Sequence, residues 1–198
     1  MTATRTLVII GTAGRKEDGP RLSLAHYRAM CALARGTMAE HEITHLVSGG
    51  AAWADHVAVT LTLEGAVNAK ALKLYLPAKF HGNAGFDRSS RDGSTADYYQ
   101  SLFKRSTGID YRADFRETIE AGASVEVNPN GFLARNLQVA AAGDVLLAFT
   151  FGNGAAWTPK AFEAGTSARN AGVKDGGTAH TFDRSRAACK IHVALSEI

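Results

Sequence analysis

Short aliphatic runs that stop at glycine or proline constrain this chain more than any other feature. "TLVII" (6–10) ends at Gly11, "ITHLVS" (43–48) at Gly49-Gly50, and "ALKLYLPA" (71–78) breaks at Pro77. "DVLLAFTFG" (144–152) and a closing "IHVAL" (191–195) follow the same habit. Runs this short, rich in Val, Ile and Leu and bounded by breakers, read as strands buried on both faces. Helical spacing fills the intervals: Ser23–Glu40, about Ala54–Glu64, and "GFLARNLQVAAAG" (131–143). Strand-helix alternation with doubly buried strands predicts an α/β, Rossmann-like three-layer sandwich with a mostly parallel sheet of about five or more strands.

Between the third strand and residue 131 the pattern loosens. Residues 79–97 are rich in Gly, Arg, Ser and Asp and read as a long loop, a kind of segment that is more often functional than idle. "ADYYQSLFKRSTGI" and "RADFRETIEAGA" then read as two short helices. Farther on, Thr158-Pro159 is suited to an N-cap and first-turn pair of a helix through "TPKAFEAGTSARNAG". "DGGTAHTFDRSRAACK" reads as a glycine turn entering a helix. No repeat or low-complexity tract interrupts the chain, and residues 1–198 read as one domain.

At 198 residues the chain can bury a proper core without staples. The formal charge of +3 and pI near 9.0 are mildly basic, with Lys and Arg scattered among acids. That distribution suits weak attraction for a phosphate-bearing small molecule and not a nucleic-acid groove. Cys31 and Cys189 lie far apart in apolar patterns and read as free buried thiols; no spacing suggests a metal site. The opening "MTATRTLVII" is too short for a signal-peptide core, and no stretch has the length of a membrane span. The expectation is a cytoplasmic protein with no membrane partner.

In a parallel sheet, ligands bind outside the carboxyl ends of the strands, where helices begin. Three turns here carry glycines at such positions: "GTAGR" (11–15), "SGGAAWAD" (48–55) and "DGGTAHT" (175–181). Glycine lets backbone N–H groups approach an anion, and the helix dipole favours its charge. None of the three is G-x-G-x-x-G or a P-loop, so neither standard dinucleotide binding nor P-loop hydrolysis is indicated. There is also no G-x-S-x-G elbow, and Ser48 lies in the wrong context for a nucleophile.

Each candidate has a structural alternative. Gly49 and Gly50 serve either a tight turn or phosphate approach. Asp55 serves either as a helix cap or as a ribose contact. Trp53 either packs against the core, the preferred reading, or stacks on a base. His180, just beyond Gly-Gly-Thr, is either a structural or a ligand-contacting histidine, whereas His56 reads as structural. Arg15 suits bidentate phosphate contact or simple solvation. Tyr98 and Tyr99 read as helix anchors or as part of a lid.

The ordered set "GTAGR", "LVSGGAAWADHVAV", "RNLQVAAAGDVLLAF" and "GGTAHT" resembles the SLOG superfamily of Rossmann-like proteins. That superfamily includes the DNA-processing proteins and the cytokinin-activating phosphoribohydrolases. The resemblance is nearest a small "SGGA-x-GAD" branch found in bacteria and phages. It covers residues 1–76 and roughly 131–194, leaving about 79–130 as an unmatched insert. It implies binding of a nucleotide, an ADP-ribose-type molecule or a cyclic nucleotide at the glycine turns, by a homo-oligomer and without a cofactor. Residue by residue, it implies contacts from Gly11, Thr12, Gly14 and Arg15, and from Ser48, Gly49, Gly50 and Asp55, with Trp53 beside them. Arg135 and Asn136 match its Arg-Asn pair, and Gly176, Gly177 and Thr178 its phosphate loop, followed by His180 and Thr181. The phosphoribohydrolases carry a glutamate in "GG-x-GT-x-x-E", and Thr181 occupies that position here. The expectation is therefore a sensor or sequestering protein. The alternative is an N-glycosidase using Asp55, Glu64, Asp183 or His180. Single-stranded DNA binding would need a basic groove with stacking aromatics, which the scattered charge does not supply.

Overall fold

A computed structural model describes residues 4–128 and 130–198. Seven strands run in chain order: β1 (Thr6–Gly11), β2 (His45–Ser48), β3 (Leu72–Leu76), β4 (Ser124–Val127), β5 (Val145–Thr150), β6 (Lys160–Glu163) and β7 (Cys189–Ala194). They form one sheet in the order β4-β3-β2-β1-β5-β7-β6. Every neighbouring pair is parallel except β6 with β7, which is antiparallel.

Side-chain alternation splits the sheet into two buried faces. Leu7, Ile9, Leu46, Leu74, Leu147 and Phe149 face one core, and Val8, Ile10, Val47, Leu146 and Ala148 the other. The first core is covered by α1 (Leu24–Glu40), α2 (Val57–Leu63), α3 (Arg91–Thr107) and α4 (Tyr111–Glu120), which contribute Tyr27, Met30, Val57, Leu61, Phe103 and Phe115. The second is covered by α5 (Gly131–Ala140), α6 (Ala168–Ala171) and α7 (Gly177–Arg184), through Val139, Ala168, Ala179 and Phe182. The interior strand β5, "VLLAFT", is buried at every residue. This is the three-layer, Rossmann-like α/β architecture that continuous apolar runs dictate.

Local chemistry sets the helix ends. The Ser23 hydroxyl accepts from the His26 N–H at 3.4 Å to start α1, and the Ser90 hydroxyl accepts from Gly93 N–H at 3.0 Å to start α3. Gly108 closes α3 in the left-handed region, where it carries no Cβ penalty.

Two expectations need correction. Thr158-Pro159 does not open a helix: residues 160–163 are the edge strand β6, held by pairing with β7 and by Phe162 packing on the second core. Segment 79–97 is not all loop. Phe80 and Phe86 pair across a short 3-10 turn, and α3 begins at Arg91. The insert also supplies β4, paired to β3; "SVEV" is half-exposed and too short to signal itself as a buried strand. From β1 the sheet grows one way through β2, β3 and β4, then resumes on the other side at β5. That reversal opens a crevice at the carboxyl ends of β1 and β5.

Candidate functional site

The "SGG" turn after β2 is built around an ion pair. The Ser48 hydroxyl donates to the Asp55 carbonyl at 2.7 Å and accepts from the Gly50 N–H at 3.1 Å, folding residues 48–55 into a closed loop. A Cβ at Gly49 would fall on the Arg135 guanidinium and lie 2.7 Å from Asp55 Oδ2. Gly50 has φ 68°, and a Cβ there would overlap Leu76. Both glycines are thus required by close approach of protein groups. The Gly50 carbonyl accepts from Gln100 Nε2 of α3 at 3.1 Å, so the insert braces this turn.

Arg135 and Asp55 are buried, at 6% and 4% exposure, with Nη1 and Oδ2 3.5 Å apart. Asp55 does not cap a helix. Its Oδ2 accepts from the Ala51 N–H at 3.4 Å, and His56, not Asp55, precedes α2. Burial pushes the Asp55 carboxyl up against the pull of Arg135. Burial likewise lowers Arg135, although a guanidinium keeps its proton. Arg135 Nε has no hydrogen-bond partner among the described residues.

Trp53 and His56 belong to the core. Trp53 is 2% exposed, edge-on to Tyr27 and Phe103 with centroids 6.4 and 5.1 Å away. Its φ of 62° places a bulky residue in the left-handed region, a conformation kept only where packing imposes it. His56 is fully buried, with Nδ1 2.8 Å from the Tyr27 hydroxyl and Nε2 3.5 Å from Asp114 Oδ2. Burial drops its pKa to about 3 and raises that of Asp114 to about 6.

A cleft of about 510 Å³ lies at the carboxyl edge, over the Arg135–Asp55 pair. One wall is the end of β1, Gly11 to Ala13, continuing through Arg15 to Asp18. The opposite wall is Lys174 to Thr178 with Thr181, and α5 contributes Phe132, Leu133, Arg135 and Asn136. Helix α7 starts at this wall with Gly176 as its N-cap and no side chain bonding its first N–H groups. Such groups form a ready anion site. Its start is fixed by Thr178 Oγ1 donating to the Gly11 carbonyl at 2.9 Å. The Gly177 carbonyl also accepts from Thr181 Oγ1 at 2.9 Å and from Asn136 Nδ2 at 3.4 Å.

Two devices shape the mouth. Lys174 Nζ donates to Glu17 Oε1 and Asp18 Oδ1, both at 2.7 Å, linking the walls. Asp18 Oδ2 in turn accepts from Thr12 Oγ1 at 2.9 Å. On the other side the Arg15 guanidinium lies over both Tyr99 and Phe132, 5.1 and 5.2 Å from their centroids, and Arg135 approaches Phe132 at 5.8 Å. The cleft holds four cations, Arg15, Lys16, Arg135 and Lys174, and four carboxylates, Glu17, Asp18, Asp55 and Asp175. Lys174 and Arg135 are engaged by acids, which leaves the positive charge at the rim to Arg15 and Lys16.

Of the residues anticipated from sequence, the cleft gathers Gly11, Thr12, Arg15, Asp55, Arg135, Asn136, Gly176, Gly177, Thr178 and Thr181. Gly14, Ser48, Gly49, Gly50, Trp53 and His180 do not line it. Beneath it, Ser48 holds the Asp55 carbonyl and Gly49 leaves room for the Arg135 guanidinium, while Gly50 packs against Leu76. Of the alternative acids only Asp55 reaches the cleft: Glu64 pairs with Arg35, and Asp183 accepts from the Ala168 N–H at 2.6 Å. Tyr98 is 59% exposed, while Tyr99 carries Arg15. Lys174, Asp18 and Phe132 went unanticipated. Lys174 directly precedes "DGG" and Phe132 lies three residues before Arg135, so adjacency to the motifs was the available signal. Among the described residues no group of three or more His, Cys, Asp and Glu is placed to hold a metal ion. Among the described residues no helix is long and apolar enough to cross a membrane.

Fold and cleft define a doubly wound α/β protein with a crevice at the switch point between β1 and β5. The chain belongs to one family with uncharacterized protein R261 of Acanthamoeba polyphaga mimivirus. The two are 35% identical over 152 residues, spanning 73% of this chain and 81% of the viral protein. No protein-family model matches the chain, and no solved structure does.

Proposed function

We propose that the protein binds a nucleotide-derived small molecule in the β1–β5 cleft, as a sensor or sequestering protein of the SLOG type. The observation that carries this reading is the uncapped start of α7, which opens onto a cleft above a buried arginine whose Nε is unpartnered. A phosphate there meets backbone N–H groups and the guanidinium side by side. Arg15 and Phe132 offer a flat cationic and aromatic surface for a sugar or base. The cleft volume of about 510 Å³ falls within the range of small-molecule sites.

The test is a thermal-shift screen with nucleotides, ADP-ribose derivatives and cyclic nucleotides, each recovered and analysed afterwards. A true ligand at a hundredfold excess over Kd stabilises by about 2.7 kcal/mol. Gly177→Asp, which sets a carboxylate at the exposed start of α7, abolishes that shift. Absence of any stabilising ligand, or a shift indifferent to Gly177→Asp, overturns the reading.

One observation favours a second reading, hydrolysis of an N-glycosidic bond. Asp55 lies on the cleft floor with its carboxyl raised by burial, as a general acid requires. Recovery of free base and sugar phosphate, lost in Asp55→Asn, decides for it.

A further inference from the structure

A second cavity, about 240 Å³, opens at the same edge of the sheet between the loop after β5, strand β6 and α6. Lys160 of β6 stands directly opposite His192 of β7 in the antiparallel register, so the two side chains share one face. That face is the α6 side, because His192 Nδ1 lies 3.1 Å from the Ala171 carbonyl. Arg169 and Asn170 of α6, together with Asn153, complete the polar lining.

Charge distinguishes this cavity from the main cleft. Lys160 and Arg169 are lining cations, and no carboxylate is among the lining residues. Neither cation makes an ion pair among the described residues. A concave surface of one sign concentrates the opposite charge. The carboxamides of Asn153 and Asn170 have N–H donors to offer an oxyanion.

We propose that this second cleft is a binding site for a small oxyanion, of phosphate chemistry, separate from the β1–β5 cleft. Lys160 and Arg169 neutralise the charge, and Asn153 and Asn170 orient the oxygens. His192 forms the partition between the clefts. Ala171 can only accept, so His192 Nδ1 carries the proton and Nε2 accepts from Thr150 Oγ1 at 2.9 Å. Thr150 Oγ1 in turn accepts from the Lys174 N–H at 3.2 Å, and both Thr150 and Lys174 line the main cleft. The proposal does not rest on the reading of the main cleft.

The experiment is an NMR titration of the ¹⁵N-labelled chain with inorganic phosphate at constant ionic strength. Saturable shifts of the Asn170 and Gly172 amides are expected. Lys160→Gln/Arg169→Gln, a pair of surface changes, weakens them about tenfold or more. Gly177→Asp, directed at the main cleft, leaves them intact. A parallel titration with a nucleoside diphosphate separates the two sources of the oxyanion. A site for free anion moves the Asn170 and Gly172 amides with a Kd of their own in the phosphate titration, whether or not Gly176 and Gly177 also shift, whereas a site for one end of a longer ligand moves both sets together with a single Kd in the diphosphate titration. Shifts that never saturate, that survive the double substitution, or that are confined to Gly176 and Gly177 overturn the proposal.

Discussion

Replacing Arg135 by methionine tests whether the cleft floor is a working ion pair. Methionine keeps most of the apolar stem, so the substitution removes charge more than volume. Asp55, at 4% exposure, then loses the guanidinium 3.5 Å away and keeps only backbone donors. At an effective dielectric of 20 that separation corresponds to about 5 kcal/mol of attraction. Breaking a buried pair from one side costs about 3–5 kcal/mol by measurement on other proteins. Arg135→Met is therefore expected to lower unfolding stability by about 3–5 kcal/mol at pH 8, read from urea denaturation. The sign with pH is fixed. Asp55 is a carboxyl raised in the folded state, so its penalty grows as pH rises through the folded value and fades as pH falls. The deficit shrinks on acidification, by up to about 1.4 kcal/mol per pH unit. Asp55→Asn added to Arg135→Met restores most of the loss, so the two substitutions are non-additive by more than about 1 kcal/mol. A deficit below about 1 kcal/mol at pH 8, or one that ignores pH, refutes the account of the floor.

His56, with a folded pKa of about 3, keeps the NMR signature of a neutral ring down to pH 5, and a midpoint near 6.5 contradicts its burial. Stability falls by about 2 kcal/mol between pH 7 and 5 from this group. His192 acts in the same direction, and Asp114, raised to about 6, offsets about 1 kcal/mol. Gly11→Ala puts a Cβ 2.6 Å from Ala54 Cβ and onto the Phe149 carbonyl; a loss of about 3 kcal/mol or failure to fold is expected, and a neutral result in chemical denaturation counts against the β1–β5 register. Trp53→Ala costs about 3–5 kcal/mol. In a Trp157→Phe background Trp53 emission is indifferent to any cleft ligand, and quenching by a nucleotide would show the ring stacking on a base.

The layers were legible because β1, β2, β3, β5 and β7 bury both faces and announce themselves as aliphatic runs. Strands β4 and β6 were not, since an edge strand buries little: "SVEV" and "KAFE" have mostly exposed or half-exposed side chains, and their pairing is set by distant partners. Of the three glycine turns, "GTAGR" and "DGGTAHT" face each other across the cleft, though Gly14 and His180 stand outside it. "SGGAAWAD" misled through its glycines. They carry no open face for a ligand; one makes room for the Arg135 guanidinium and the other for Leu76, groups distant in sequence. No local pattern could report that. Trp53 shows the same limit, for it adopts a glycine-like φ of 62° while its side chain packs into the core.

Several departures from local preference lie beneath one surface. A buried arginine and aspartate, a tryptophan at positive φ, two glycines pressed by side chains and a helix that starts without a cap all lie under or beside the β1–β5 cleft. Other helix ends follow local chemistry: Ser23 and Ser90 cap their helices, and Gly108 ends α3. Arg135 is held from below by Asp55 and Gly49, so its guanidinium cannot withdraw, and the first turn of α7 is pinned to β1 by Thr178. Donors fixed in this way would meet the proposed anion without first having to be ordered.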